Sequence, residues 1–233
     1  MSKNPHSRQD RHKQLMRTQI LDAAHRRLAS SGIDGLTMRT LAKDLQLSAP
    51  ALYRYYPSLS SLTTDLQDRI VNELLKLLSA PLSDSGDSFV SYFQDTFRTL
   101  RTWALEHTAE FELVLRSPAT SGSFSASTAS GEKLSRLTEM LLKIFALAWE
   151  QAPFSVQLHP ALKQQQAEVF LPLAQKLHID NISPDAWVAF IQVWNRIFSA
   201  IVCEVLTAPT NIYKETIFEL ELAQVATQLP FSN

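Results

Sequence analysis

The sequence predicts an all-α protein, and three observations carry that reading. Glycine is scarce, with five in 233 residues. The apolar runs are rich in Leu and Ala rather than Val and Ile, which favours helix over sheet. Apolar residues return at spacings of three and four, and no stretch shows the two-residue alternation of a half-buried strand. With 45% hydrophobic and 19% charged residues, the chain is globular in composition and long enough to bury a core. No internal repeat is present.

Residues 1–10 are polar and are expected to lack regular structure. From Arg11 a first helix begins, with Leu15, Ile20, Ala24 and Leu28 recurring at helical spacing. "SSGIDG" ends it, with Gly32 as a left-handed cap. Thr37 is an N-cap for a short helix whose apolar side is Met38, Leu41, Ala42 and Leu45. "LQL" is a tight connection. Ser48 caps the next short helix, about 48–56, and Pro50 stands in its first turn, where a missing N–H is tolerated. Pro57 ends that helix near Tyr56.

A longer helix is expected over about 60–79, with Leu62, Leu66, Ile70, Leu74 and Leu77 or Leu78 on its apolar side. "SAPLSDSGDS" (79–88) is a linker. Helices over about 88–107 and 108–116 come next, then a Ser/Thr/Gly loop at 117–131. Further helices are expected at about 132–151, 160–178 (interrupted by Pro172), 184–207 and 212–228.

The net charge of −1 hides an asymmetry. Through residue 56 there are ten Lys/Arg against four Asp/Glu, and the remainder carries 12 against 19. A basic end on an acidic body suggests an anion-binding module, and nucleic acid is the obvious anion. The single cysteine, Cys203, excludes a disulfide framework and fits a reducing cytoplasm. In its apolar helix it reads as a small buried hydrophobe. The N-terminus lacks the apolar core of a signal peptide, and no run reaches the roughly 18 apolar residues of a membrane helix.

Two short helices joined by a tight turn, the second opening Ser-x-Pro, make a helix-turn-helix. In the second, Leu52 and Tyr56 are four apart and share a face, which is assigned to the core with Leu47. Ala49, Pro50, Tyr53 and Arg54 lie on other faces, with Tyr55 at the far edge. Small residues at the front of a helix permit close approach to base edges, and tyrosine hydroxyls donate to phosphate. Tyr56 is thus assigned to the core, and Tyr53 and Tyr55 to nucleic acid.

Residues 20–62, "ILDAAHRRLASSGIDGLTMRTLAKDLQLSAPALYRYYPSLSSL", resemble the DNA-binding domain of the TetR family of bacterial transcription regulators. The features that match are a first helix closing at Ser31 and Gly32, then Gly35-Leu36-Thr37-x-Arg39-x-Leu41-Ala42, then Leu47-Ser48-x-x-x-Leu52-Tyr53-x-Tyr55-Tyr56. The resemblance implies phosphate contacts from Thr37 and Tyr55. It implies contacts in or near the groove from Arg39, Ser48, Ala49, Pro50 and Tyr53, with Arg54 beside them. Leu59 stands where the family usually has a phosphate-reaching lysine.

The resemblance further implies an N-terminal three-helix DNA-binding domain, residues 1–58. A helical-bundle domain that binds a small ligand and dimerises would follow, residues 59–233. "VWNRIFSAIVCEV" (193–205) resembles the Trp-x-x-x-His-Gly…Glu stretch of one TetR subgroup, with Phe198 and Ser199 in place of His-Gly. The helix at 184–207, apolar nearly all round, is expected to be buried on several sides. Together with 212–228 it is the expected homodimer interface, whose two-fold symmetry would suit a palindromic site. Phe93, Phe97, Trp103, Phe111, Phe145 and Trp149 are candidate linings of an apolar ligand cavity, with His107 and Glu110 as a polar element. Each of these aromatics, at helical spacing, reads more readily as core. No metal or cofactor is expected, since His107 and Glu110 lack further ligands.

Two other function classes compete. An enzyme finds no support: there is no Gly-rich phosphate loop, GxSxG elbow or HExxH. A helical adaptor that has lost DNA binding would explain Leu59 but not the basic N-terminal end.

Overall fold

In the computed structural model the described residues are 8–79, 89–116, Leu142, Gln175, 184–206 and 214–228. Among them every regular element is an α-helix. In chain order these are α1 (Arg8–Ser31), α2 (Met38–Asp44), α3 (Ala49–Tyr53), α4 (Leu59–Ser79), α5 (Phe89–Glu106), α6 (Thr108–Leu115), α7 (Pro184–Leu206) and α8 (Lys214–Gln228). The all-α fold class read from the sequence is therefore the observed one. The helices expected over 132–151 and 160–178, and the loop at 117–131, lie outside the described residues.

The chain forms two compact units: Met1–Asn72 with Ala109–Ser117, and Glu73–Thr108 with Pro118–Asn233. The division expected at 58/59 falls inside the first unit. The start of α4 is bonded to α1, and α6 is bonded to both α1 and α4. Asp65 of α4 pairs with Arg17, Arg69 of α4 with Asp22, and Glu110 of α6 with His25. Gln67 Nε2 of α4 also donates to the Leu113 carbonyl of α6 at 2.8 Å.

The core of the first unit follows the helical spacing of its sequence. Ile20, Ala24, Leu28, Leu41, Leu52, Tyr56, Leu62 and Leu66 are fully buried. Leu15 is not: it is 57% exposed. Five residues separate it from Ile20, which turns it about 140° away around the helix. The helix also begins at Arg8 rather than Arg11. On α4 the fifth apolar position is Leu78, fully buried, while Leu77 is exposed.

In the second unit α5, α7 and α8 pack together. Phe93, Phe97, Leu100 and Ala104 form the buried stripe of α5. Phe190, Val193, Trp194, Ile197 and Ile201 form that of α7, and Phe218, Leu222 and Val225 that of α8. An aromatic chain runs through this core. Phe93 and Phe97 centroids are 4.9 Å apart, Phe97 and Trp194 6.3 Å, and Trp194 stacks on Phe198 at 4.4 Å. Bidentate pairs tie the helices: Arg101 to Glu204 at 2.7 Å through both nitrogens, and Arg98 to Glu219 at 3.0 and 3.1 Å.

One expectation for α7 is corrected: Cys203 is exposed, not buried. Gln192, Asn195, Ser199, Cys203 and Leu206 form an exposed stripe opposite the buried one.

Candidate nucleic-acid interface

The helix-turn-helix is built from end signals more than from helix length. Gly32, at φ 66°, closes α1 and donates its N–H to the Leu28 carbonyl at 2.9 Å. At Gly35 a side chain is excluded, since a Cβ there would lie 2.4 Å from Ser31 Cβ. Thr37 then caps α2. Its hydroxyl accepts from the Thr40 N–H at 3.1 Å, and Thr40 Oγ1 accepts from the Thr37 N–H at 3.1 Å. This reciprocal box satisfies two of the amide donors a helix start leaves open.

The turn to α3 is tight. Gln46 takes φ 54°, and the Leu47 N–H returns to the Ala42 carbonyl at 2.9 Å. Ser48 caps α3 by accepting from the Ala51 N–H at 3.3 Å, with Pro50 in the first turn. The helix expected over 48–56 is shorter than that, ending at Tyr53. The N–H groups of Tyr55 and Tyr56 both converge on the Leu52 carbonyl, which tightens the last turn, and Pro57 cannot extend the ladder.

Burial separates the tyrosines. Tyr56 is fully buried with Leu52, while Tyr53 is 48% exposed. Tyr55 is half-buried. Thr37, Arg39, Ser48, Ala49, Pro50 and Arg54 are all exposed. The candidate contact residues therefore share one short stretch of surface-exposed chain on α2, α3 and their caps. Leu59, half-buried, opens α4, and no Lys or Arg follows until Arg69, which is paired with Asp22.

The basic excess of this end is partly neutralised. Arg27 grips Asp44 with two nitrogens, and its guanidinium holds the Asp44 carboxyl below its usual range. Arg17, one of the ten basic residues through position 56, is engaged as well. Its Nη2 donates to Asp65 Oδ2 at 2.5 Å, its Nη1 donates to the Tyr55 carbonyl at 3.1 Å, and its guanidinium lies 4.4 Å from the Tyr56 ring centroid. The Tyr56 hydroxyl donates to the same Asp65 oxygen at 3.0 Å. Burial, aided by that acceptor, pushes the Tyr56 phenol up to about 12. Sequence reasoning missed the Arg17–Asp65 pair, because no local pattern joins residues 48 apart. Arg39, Lys43, Arg54 and Arg26 remain as exposed cations.

The ligand candidates do not all fall together. Phe93 and Phe97 are buried in the second unit, and there Trp103 stacks on the exposed His107 at 5.5 Å. Phe111 is buried in the first unit. Phe145 and Trp149 lie outside the described residues. Glu110 is buried with its Oε1 3.2 Å from His25 Nε2, a partner the sequence spacing did not suggest. Among the described residues no group of three or more His, Cys, Asp or Glu could hold a metal. No described helix is long and apolar enough to cross a membrane.

Comparison with known proteins bears directly on this site. Residues 20–62 match the family model for bacterial regulatory proteins of the tetR family, and that span covers the C-terminal part of α1 through the start of α4. The HTH-type transcriptional regulators Rv1816 of Mycobacterium tuberculosis and Mb1846 of Mycobacterium bovis are each 29% identical over 112 residues, covering 48% of this chain and 47% of theirs. The chain spans about half the length of the curated relatives it matches. The crystal structure of the regulatory protein SCO4313 shares the fold at a TM-score of 0.62 and 20% identity, over 93% of this chain and 97% of that one. The helix-turn-helix with these caps and this motif thus lies within the span that matches the tetR family model.

Proposed function

We propose that the chain is a ligand-responsive, DNA-binding transcription regulator, acting in the cytoplasm as a homodimeric repressor released from a palindromic operator by a small apolar ligand. The observation that carries this reading is α3. Its front presents Ser48, Ala49 and Pro50 at the surface, its rear presents Tyr53 and Arg54, and its only buried anchor is Leu52. That shape suits close approach to base edges with flanking phosphate contacts from Thr37, Arg39 and Tyr55.

In this reading residues 1–58 read DNA and 59–233 bind ligand and dimerise. The exposed stripe of α7, with Ile217 and Leu220 exposed on α8, supports these two helices as the dimer surface. The buried aromatics Phe93 and Phe97 support α5 as part of the ligand site. A dimer would set two α3 helices about one DNA turn, roughly 34–36 Å, apart. A ligand that favours a conformation with different spacing would release the DNA, with α4 as the element carrying the change. Such release requires unequal ligand affinity for the two states.

The test is fluorescence anisotropy of the full chain against DNA from its own upstream region and a scrambled duplex at several salt concentrations. The reading expects preferential, salt-sensitive binding of the upstream duplex. Weak, equal binding to both, together with failure to select any duplex from a randomised pool, would favour the adaptor that no longer reads DNA.

A further inference from the structure

Arg17, Tyr56 and Asp65 come from α1, the segment after α3, and α4. They meet on one carboxylate oxygen. Asp65 Oδ2 accepts from Arg17 Nη2 at 2.5 Å and from the Tyr56 hydroxyl at 3.0 Å. The same guanidinium covers the Tyr56 ring and reaches the Tyr55 carbonyl at 3.1 Å. The contacts close a ring that runs from α1 to the post-α3 segment, on to α4, and back to α1.

The DNA-reading segment depends on such a ring for a physical reason. α3 has five residues, well below the roughly 12 that an isolated helix needs to persist. Ser48 fixes its start, and Leu52 and Tyr56 bury its underside. Beyond Tyr53 the last turn is held by the Tyr55 and Tyr56 N–H groups on the Leu52 carbonyl, and the Tyr55 carbonyl becomes an acceptor that a helix end leaves open. Arg17 satisfies it. The orientation of residues 53–55 is thus set by the contacts around Asp65 together with these two backbone bonds.

We propose that Asp65 and Arg17 are positioning residues for DNA reading, which hold the segment bearing Tyr53, Arg54 and Tyr55 between α1 and α4 without touching DNA themselves. The proposal rests on the DNA-reading role assigned to α3. Electrostatics alone makes the opposite forecast. Asp65→Asn removes a negative charge from a polyanion-binding unit, which should tighten binding to any DNA. Arg17→Lys keeps the charge but loses the fork that reaches carboxylate and carbonyl together.

The experiment uses the full chain and the duplex it selects from a randomised pool, with a scrambled duplex beside it, both read by anisotropy across a salt series. Asp65→Asn and Arg17→Lys are each expected to lose about tenfold on the selected duplex, the scale of a lost charge-assisted hydrogen bond. Binding to the scrambled duplex should stay within about twofold and the salt slope should be unchanged. Tyr56→Phe keeps the buried ring and loses only the hydroxyl, so it should lose about threefold on the selected duplex and lower the thermal melt only modestly, as the loss of one hydrogen bond does. If both charged-site variants bind the selected duplex as the wild type does, the positioning role is overturned and the DNA-reading assignment stands. If they lose helix content and both binding activities together, the residues serve folding alone and the role is again overturned. If the wild type selects no duplex, the DNA-reading assignment falls and takes this proposal with it.

Discussion

The two units are held together differently. In the first, the two short helices α2 and α3 are fixed by end signals: Gly32 closes the long α1 before them, Thr37 starts α2 and Ser48 starts α3. In the second, helices of 18, 23 and 15 residues are joined along their lengths by aromatic contacts and bidentate ion pairs. A unit built from end signals should fail locally and by small steps. One built from long faces should fail through single buried side chains.

The largest effect that sharpens this contrast is expected at Phe218, fully buried on α8 with the Arg101 guanidinium 5.1 Å from its ring centroid. Phe218→Ala should cost about 3–5 kcal/mol, as large-to-small changes in tight cores do. Denaturant unfolding followed by intrinsic tryptophan fluorescence reports it, since Trp194 lies in the same unit. Loss of the Trp signal at unchanged denaturant would mean that α8 is not part of that core.

Arg101→Met should be next. Its partner Glu204 has a side chain only 8% exposed, so removing the guanidinium takes the bidentate donor away from a buried carboxylate, at about 3 kcal/mol. Adding Glu204→Gln should recover a large part of that loss. A double mutant as unstable as the single would show that the pair is not the cause.

In the first unit the corresponding changes act on DNA before they act on stability. Tyr53→Ala removes a half-exposed ring and should shift the melting temperature little, yet weaken specific binding by about tenfold, within the 1–3 kcal/mol of a groove contact. Equal losses on the scrambled duplex would remove Tyr53 from the base-reading group. Thr37→Ala, which dissolves the capping box, should cost about 1 kcal/mol of stability, measurable as a shift of the denaturant midpoint.

This difference in construction also decides what was legible in the sequence. Caps and turns are local, so Gly32, Thr37, Ser48, Pro50 and the Leu52–Tyr56 face could be read from neighbours three or four residues away. The exposure of Tyr53 followed from the same helical geometry. What escaped was long-range. Arg17 counts as one more basic residue of the N-terminal end until Asp65 and the Tyr55 carbonyl close on it. Arg27 counts toward the same basic excess until Asp44 neutralises it, and Glu110 reads as a neighbour of His107 until His25 claims it. Cys203 was misplaced because an apolar helix does not announce which face its neighbours leave open.

The smallest effect is expected at Arg98, and it tests the contrast from within the second unit. Arg98 donates two bonds to Glu219 and one to Asp95, and Arg101 donates two to Glu204 and lies over the Phe218 ring. The geometry alone would rank the two arginines together. Exposure separates them, because the Arg98 and Glu219 side chains are 44% and 42% exposed against 15% and 8% for Arg101 and Glu204. Water and salt screen the exposed pair, and truncating it leaves no buried charge behind. Arg98→Ala should therefore cost less than about 1 kcal/mol, and that cost should shrink further as salt rises. Urea midpoints compared at low and high salt would decide the matter. A loss as large as that of Arg101→Met, and insensitive to salt, would mean that the α5–α8 contact is dry, and that ion pairs in this unit cannot be ranked by exposure within one chain.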